Sequence, residues 1–289
     1  RTADITELVE SQRLGVGPWY VQPDEFLVSG EALIRNLLLG RRIADTLGGP
    51  LYVGWLPDTF GHVAQLPQIL RNFGIETFVA SRGLGDHLEG RALEFWWEAP
   101  DGSRVLSLYQ HEGYWNAGNL GYPCFWGDMR GLPPDPQLAL KKITELAANL
   151  APSAATPTVA VWNGADHMAA QESLPDVIAR LNRDLESLRV VHGRVEDYAN
   201  AVRGGQPDLP VVRGELRGSR YQNLHAPVLS SRIHLKQSNH RAQRYLERYA
   251  EPLAAMAWVA GDTYPEARLR EAWRLLLQNH PHDSICGCS

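Results

Sequence analysis

Residues 51–68 read LYVGWLPDTFGHVAQLPQ. The apolar run Leu51–Leu56 stops at Pro57, and Asp58, Phe60, Gly61 and His62 follow at once. An uncharged apolar run bounded by Gly and Pro is the pattern of a strand buried on both faces, as in a parallel sheet. Asp58 then lies just past the carboxyl end of that strand, where open α/β sheets and barrels gather ligands and catalytic side chains. The same carboxylate would also serve as the cap of the next helix.

Upstream, GVGPWYVQPDEFLVSG at 15–30 predicts a strand over Trp19–Gln22, an acidic loop at Asp24 and Glu25, and a helix start near Ser29. The helix Glu31–Leu47 sets Leu33, Leu37 and Leu38 on an apolar side, with Arg35, Arg41 and Arg42 among its polar positions. Downstream of Asp58, a short helix over Gln65–Asn72 leads to a strand, Thr77–Ala80, which delivers Ser81 and Arg82 to the same rim. This alternation is the βαβ rhythm of an α/β fold with a parallel or barrel-like sheet. Leu93–Glu98 and Arg104–Tyr109 flank Pro100-Asp101-Gly102 and predict a hairpin.

The segment His111–Pro136 carries Tyr114, Trp115, Tyr122, Phe125 and Trp126. Loops this long are uncommon and often functional. Their aromatic rings suit the apolar faces of sugars, although packing the loop to the rim is the more ordinary use. A helix over Gln137–Leu150 follows. A second buried strand, Thr158–Trp162, then ends in Asn163-Gly164-Ala165-Asp166-His167 and repeats the Asp58 arrangement. Ser173-Leu174-Pro175-Asp176 opens the next helix with a capping-box pattern, and Arg189–His192 reads as a last strand.

Composition changes after Pro210. Ser230–Ala260 reads as one long helix with Leu246, Tyr249, Leu253 and Met256 at helical spacing, and Pro265 starts another that runs to Asn279. The chain thus divides into an α/β unit over 1–209, where catalysis would reside, and a helical unit over 210–289. The second ends in the polar cluster His280-Pro281-His282-Asp283.

With 289 residues, 44% of them hydrophobic, the chain can bury a large core in more than one domain. Its net charge of −5 offers no basic stripe to nucleic acid or to an acidic membrane. Leu253–Gly261 is too short to cross a bilayer. The three cysteines, Cys124, Cys286 and Cys288, are an odd count that speaks for a reduced, cytoplasmic setting over a disulfide framework. Cys286-Gly-Cys288 is more closely spaced than paired zinc ligands usually are. The chain opens on Arg1 without a Met, and both ends read as cut from something longer.

Two carboxylates on one rim are the raw material of glycoside hydrolysis, in which one group attacks or activates and the other protonates the leaving oxygen. His282-Asp283 adds imidazole and carboxylate, both suitable for zinc, although an open zinc site takes about three protein ligands.

The stretches GPWYVQPDE (17–25), GWLPDTFGH (54–62), NGADH (163–167), VLSSRIHLKQ (228–237), RYAEPLAA (248–255) and HPHDSICGCS (280–289) resemble, in order, glycoside hydrolase family 38, the zinc-dependent α-mannosidases, in a bacterial type. The resemblance implies an α/β catalytic domain followed by a three-helix-type middle domain, and a mannose-containing glycan or mannoside as substrate. It implies Asp58 as nucleophile and zinc ligand, Asp166 as general acid/base, and His282 as a second zinc ligand. Phe60, Arg82, Tyr114 and Asp283 would contact the sugar or sit beside the nucleophile, while His62 and Asp24 would be structural supports. The mechanism would be retaining, with carboxyl groups about 5–5.5 Å apart. The family's zinc site also takes a His-x-Asp pair from its first strand. Nothing upstream of Gly17 supplies it, and Asp86-His87 is in the wrong place, so the chain reads as lacking that strand and two ligands, as well as the family's downstream domains. As a fragment it could be inactive. A non-catalytic carbohydrate-binding module and, less in keeping with the residues, a metal-dependent deacetylase are the competing expectations. Oligomeric state stays open, a homo-oligomer included.

Overall fold

The structure is a computed structural model that describes residues 2–85 and 92–287. Asp86-His87 and Cys288 lie outside the described residues. At its centre is a mixed sheet of β1 (Val53–Leu56), β2 (Thr77–Ala80), β3 (Glu94–Glu98), β4 (Arg104–Tyr109) and β5 (Val211–Arg213), in the order β1-β2-β4-β3-β5. β1, β2 and β4 run parallel, β3 pairs with β4 as the antiparallel hairpin expected around Pro100-Asp101-Gly102, and β5 joins parallel to β3. The α/β class holds. The sheet is an open, mixed one, and β5 lies just past Pro210, within the stretch read from the sequence as helical.

Both faces are buried, as the apolar run at 51–56 requires. Successive residues alternate between two cores. Leu56, Phe78, Phe95, Trp97 and Val105 pack on one side with Leu33 and Leu37 of α2 (Gly30–Asp45) and Leu66 and Leu70 of α3 (Leu66–Asn72). Val53, Val79, Leu106 and Leu108 pack on the other side with Tyr198 and Val202 of α6 (Val195–Gly205). Burying side chains such as Phe78 and Trp97 fully contributes about 1.5–3 kcal/mol each. α2 begins where expected, with the Ser29 hydroxyl accepting from Ala32 N at 3.0 Å.

Three expected strands are absent among the described residues. Trp19–Gln22 is irregular because a side chain serves its backbone. Asn36 Oδ1 accepts from Tyr20 N (2.8 Å) and Val21 N (3.2 Å), and Asn36 Nδ2 donates to Val21 O (2.9 Å). This segment lies so close on α2 that a Cβ at Gly40 would come within 2.2 Å of Pro18 O. Thr158–Trp162 is likewise irregular and only half-buried at its apolar residues; Trp162 N donates to Asn116 Oδ1 (2.7 Å) in place of a ladder. Arg189–His192 forms no strand either, and Val190 is paired through both backbone groups with the Asn182 side chain.

The helix α4 (Pro136–Leu150) stands where expected, and α5 (Leu174–Asp184) starts after Ser173. The Ser173 capping box does not form, because that hydroxyl accepts from Gln171 Nε2 (3.0 Å) instead. The long helix expected over 230–260 is α7 (Ile233–Tyr245), a π turn over Leu246–Ala250 and α8 (Glu251–Val259), with α9 (Glu266–Leu277) and the one-turn α10 (His282–Cys286) after it. Pro252 follows the π turn after one residue, and its missing N–H and bulky ring disturb the regular ladder back into that turn. The apolar residues read at helical spacing on this helix turn largely outward: Leu253 is 60% and Met256 67% exposed. No helix among the described residues is long and apolar enough to cross a membrane.

Candidate active site

Asp58 follows β1 and Arg82 follows β2, so the parallel pairing of Leu56 with Ala80 brings the two together at the carboxyl edge of the sheet. Arg82 Nε lies 2.7 Å and Nη2 2.5 Å from Asp58 Oδ1, leaving Oδ2 to face His282 Nε2 at 3.6 Å. The carboxylate bonds Arg82 and meets His282, both outside the following helix, which begins after Gln65 without a side-chain cap. Burial alone would raise the Asp58 pKa. The neighbouring His282 imidazole and the charge and hydrogen bond of Arg82 outweigh it, and the group is held below its ordinary range. The same balance raises His282: desolvation opposes its charge, and Asp58, the Gln22 carbonyl and Asp283 together favour it.

A backbone route delivers further groups to this edge. After β5, Leu216 exchanges hydrogen bonds with His62 (both 2.9 Å) and Gly218 N donates to Gly83 O (2.8 Å). The approach at Gly218 admits only glycine, since a Cβ there would lie 2.3 Å from Gly85 Cα. The chain then reaches Asn223, whose carbonyl accepts from Arg82 Nη1 at 2.5 Å, and His225. Phe60 sits among these groups, with ring centroids 5.2 Å from His225 and 5.1 Å from His282, both edge-on, and the Arg82 guanidinium 5.7 Å from its ring. Neither Asn223 nor His225 stood out in the sequence. Both lie between recognisable motifs and are brought in only by the bridges at Leu216 and Gly218.

His62 is wholly buried. Its Nδ1 lies 2.6 Å from Glu25 Oε1 and its ring centroid 4.9 Å from that of Phe78, so it braces the loop after β1 from beneath. Asp24 is equally buried; burial raises its pKa to about 6 against the Phe26 backbone hydrogen bond. Both are away from solvent, in keeping with supports.

Asp166 is exposed and stands on an irregular loop. That loop is fixed by amides: Asn163 Nδ2 donates to Ala117 O (2.8 Å) and to Gln171 Oε1 (3.0 Å). Gln171 in turn pairs with both backbone groups of Leu120, at 2.8 and 2.9 Å. Tyr114 feels the charge of both carboxylates. Its hydroxyl pKa is pushed far up by burial, then by the negative charge of Asp58 and by its hydrogen bond to Asp166. Asp58, Phe60, Arg82, Tyr114, Asp166 and His282 therefore share one site. Asp283 is beside it with a largely exposed side chain, its Oδ2 3.7 Å from His282 Nε2.

Asp58 Oδ2 and His282 Nε2, 3.6 Å apart, are the two donors here that would hold a zinc ion. Among the described residues, no three His, Cys, Asp or Glu side chains gather to hold a metal. An open zinc site takes about three protein ligands, so these residues do not by themselves make one.

The sequence profile of the glycosyl hydrolases family 38 N-terminal domain matches residues 1–215, and that of the alpha mannosidase middle domain matches residues 223–289. A Halalkalibacterium halodurans protein provisionally named mannosylglycerate hydrolase is 31% identical over 303 residues, covering 100% of this chain and 32% of its own length. Human alpha-mannosidase 2C1 is 29% identical, covering 96% of this chain and 25% of its own. The crystal structure of an alpha-mannosidase from Enterococcus faecalis V583 superposes with a TM-score of 0.88 at 34% identity, over 99% of this chain and 32% of that one. The chain thus spans about a third or less of the length of these relatives.

Proposed function

The chain belongs to glycosyl hydrolase family 38, and on that premise we propose that it carries the two-carboxylate centre of a retaining α-mannosidase. One observation carries the reading. Asp58 is held ionised at the sheet edge by Arg82 and His282, and Tyr114 lies close enough to feel the charge of both that carboxylate and Asp166.

In the first step an Asp58 oxygen attacks the anomeric carbon and the bond to the leaving oxygen breaks, while Asp166 gives its proton to that oxygen. The product of this step is a mannosyl ester on Asp58. In the second, Asp166 takes a proton from water, the water oxygen attacks the same carbon, and Asp58 leaves as a carboxylate. Arg82 keeps Asp58 charged and aimed, Tyr114 orients Asp166, and Phe60 offers an apolar face to the sugar. Asp283 is placed to bond sugar hydroxyls.

Zinc would find two ligands in Asp58 and His282 and needs further donors to be held. When bound, such an ion supplies fixed positive charge for sugar hydroxyls. The α-mannosides in question include small charged ones, as the name of the Halalkalibacterium relative suggests. A cytoplasmic setting accords with the free thiols of Cys124 and Cys286.

The test is trapping with a fluorinated mannosyl fluoride, followed by peptide mass mapping, with proton NMR of the first-formed product. A label on Asp58 and release of α-mannose are expected. A label elsewhere, or β-mannose as first product, overturns the retaining assignment.

A further inference from the structure

α7 buries an unusual side. Its buried residues are Lys236, Asn239 and Gln243, a polar stripe at i, i+3 and i+7 where an amphipathic helix would bury aliphatic side chains. Each is bonded to a different part of the scaffold. Gln243 Oε1 accepts from the backbone N of Ser29, the cap of α2 (3.2 Å), and Asn239 Oδ1 faces His280 Nε2 (3.0 Å). Lys236 Nζ donates to Ser231 O (2.6 Å) and to Cys286 O (2.7 Å), the last residue of α10.

We propose that Lys236 is a positioning residue for the Asp58 centre: by gripping the Cys286 carbonyl it fixes α10 and so holds His282 against Asp58. The catalytic part of this inference rests on the function proposed above; the placement of His282 does not.

α10 has five residues and cannot stand as a helix on its own. Its carbonyl end leaves acceptors unpaired, and a cation there satisfies them and suits the helix dipole. The Ser231 hydroxyl reinforces the grip on the same carbonyl at 3.1 Å. Gly287, at φ +76°, lies so close on this segment that a Cβ would come within 2.9 Å of the Arg232 side chain.

At the other end, Gln22 O accepts from His282 N (3.0 Å) and faces His282 Nδ1 (3.1 Å), while Asp24 N donates to His280 O (3.1 Å). His282 is therefore held between two clamps. Without the one from α7, the short helix can pivot about Gln22 O and carry the imidazole away from Asp58. Directional bonds from a buried ammonium fix an angle that apolar packing would leave loose, and an ammonium buried here needs both carbonyls.

The experiment compares the protein with Lys236→Met, Lys236→Arg and Ser231→Ala variants. It reads the His282 ring by long-range proton–nitrogen NMR, kcat and KM on an aryl α-mannoside, and thermal unfolding as a check of folding. The unaltered protein should show one set of His282 ring signals with a proton fixed on Nδ1. Lys236→Met should average that signal and lower kcat about 100-fold, with KM within about threefold, as a misplaced group does. Lys236→Arg should restore the ring signal and part of kcat, and Ser231→Ala should lower kcat about threefold. A folded Lys236→Met protein with unchanged His282 signals and kcat overturns the proposal. If Lys236→Met does not fold, unchanged signals and kcat in Ser231→Ala overturn it. If the unaltered protein hydrolyses no mannoside, the proposed function fails while the NMR comparison still judges the clamp.

Discussion

The two carboxylates of the site are held by different physics. Asp58 stands at the end of a ladder-paired strand, and its anchorage is made of charges: Arg82 on one oxygen and His282 facing the other. Asp166 stands on an exposed, irregular loop, and its anchorage is made of neutral amides, Asn163 and Gln171, bonded to the backbone at Ala117 and Leu120. Under the proposed roles the difference makes sense. A nucleophile must stay ionised and immobile, whereas an acid/base must exchange protons with the solvent side of the substrate.

The largest expected effect comes from removing the charged member. Asp58→Asn should lower kcat on the order of 10⁴-fold and abolish covalent trapping, whereas Asp166→Asn should leave trapping by a reactive fluoride largely intact. Equal loss of trapping in both variants would erase the distinction. Arg82→Met breaks the charged anchorage alone and should cost about 100-fold in kcat through a misaimed, less readily ionised Asp58; steady-state kinetics read this directly.

Gln171→Ala breaks the amide anchorage alone. It removes bonds to both backbone groups of Leu120 and to Asn163, so about 2–3 kcal/mol of stability should be lost. kcat should fall about tenfold, hydrogen exchange should rise at Leu120 and trapping at Asp58 should persist. Loss of trapping in this variant would mean that the two anchorages are one.

The smallest effect is one of pH. Asp58 is depressed below its ordinary 3.8, so its contribution to stability is present above that value and is lost as pH falls through the folded pKa below it. His282 is raised above 6.5, so its contribution is present below 6.5 and is lost as pH rises through its folded pKa. Urea midpoints measured across pH should therefore fall off on both flanks. Asp58→Asn should flatten both flanks, whereas Gln171→Ala should lower the curve without changing its shape.

Much of the Asp58 half was legible from residues near one another in the chain. The run Leu51–Leu56, the strand Thr77–Ala80 and the hairpin over 93–109 are local patterns, and the parallel pairing of the first two puts Asp58 beside Arg82. The Asp166 half was legible only as a motif. The apolar run at 158–162 looks like a strand, and an alternation of residue types cannot reveal that Asn116 occupies the backbone N–H of Trp162. The same failure recurs at Trp19–Gln22 with Asn36 and at Val190 with Asn182, each time because a side-chain amide replaced a neighbouring strand. The stripe at Leu253 and Met256 shows the converse: helical spacing of apolar residues predicts a face, and only packing decides whether it is covered.

By itself the sequence determined the α/β class, the strands and helices whose signals are periodic or punctuated by Gly and Pro, and the family, because those signals are carried by contiguous residues. Only the tertiary structure decided that β5 closes the sheet order, that Asn223 and His225 reach Arg82 and Phe60, and that a polar stripe on α7 seats the helix bearing His282. Those arrangements rest on directional bonds between positions far apart in the chain. Such bonds have no period to read, and their partners are known only once the backbone has brought them within about 3 Å of each other.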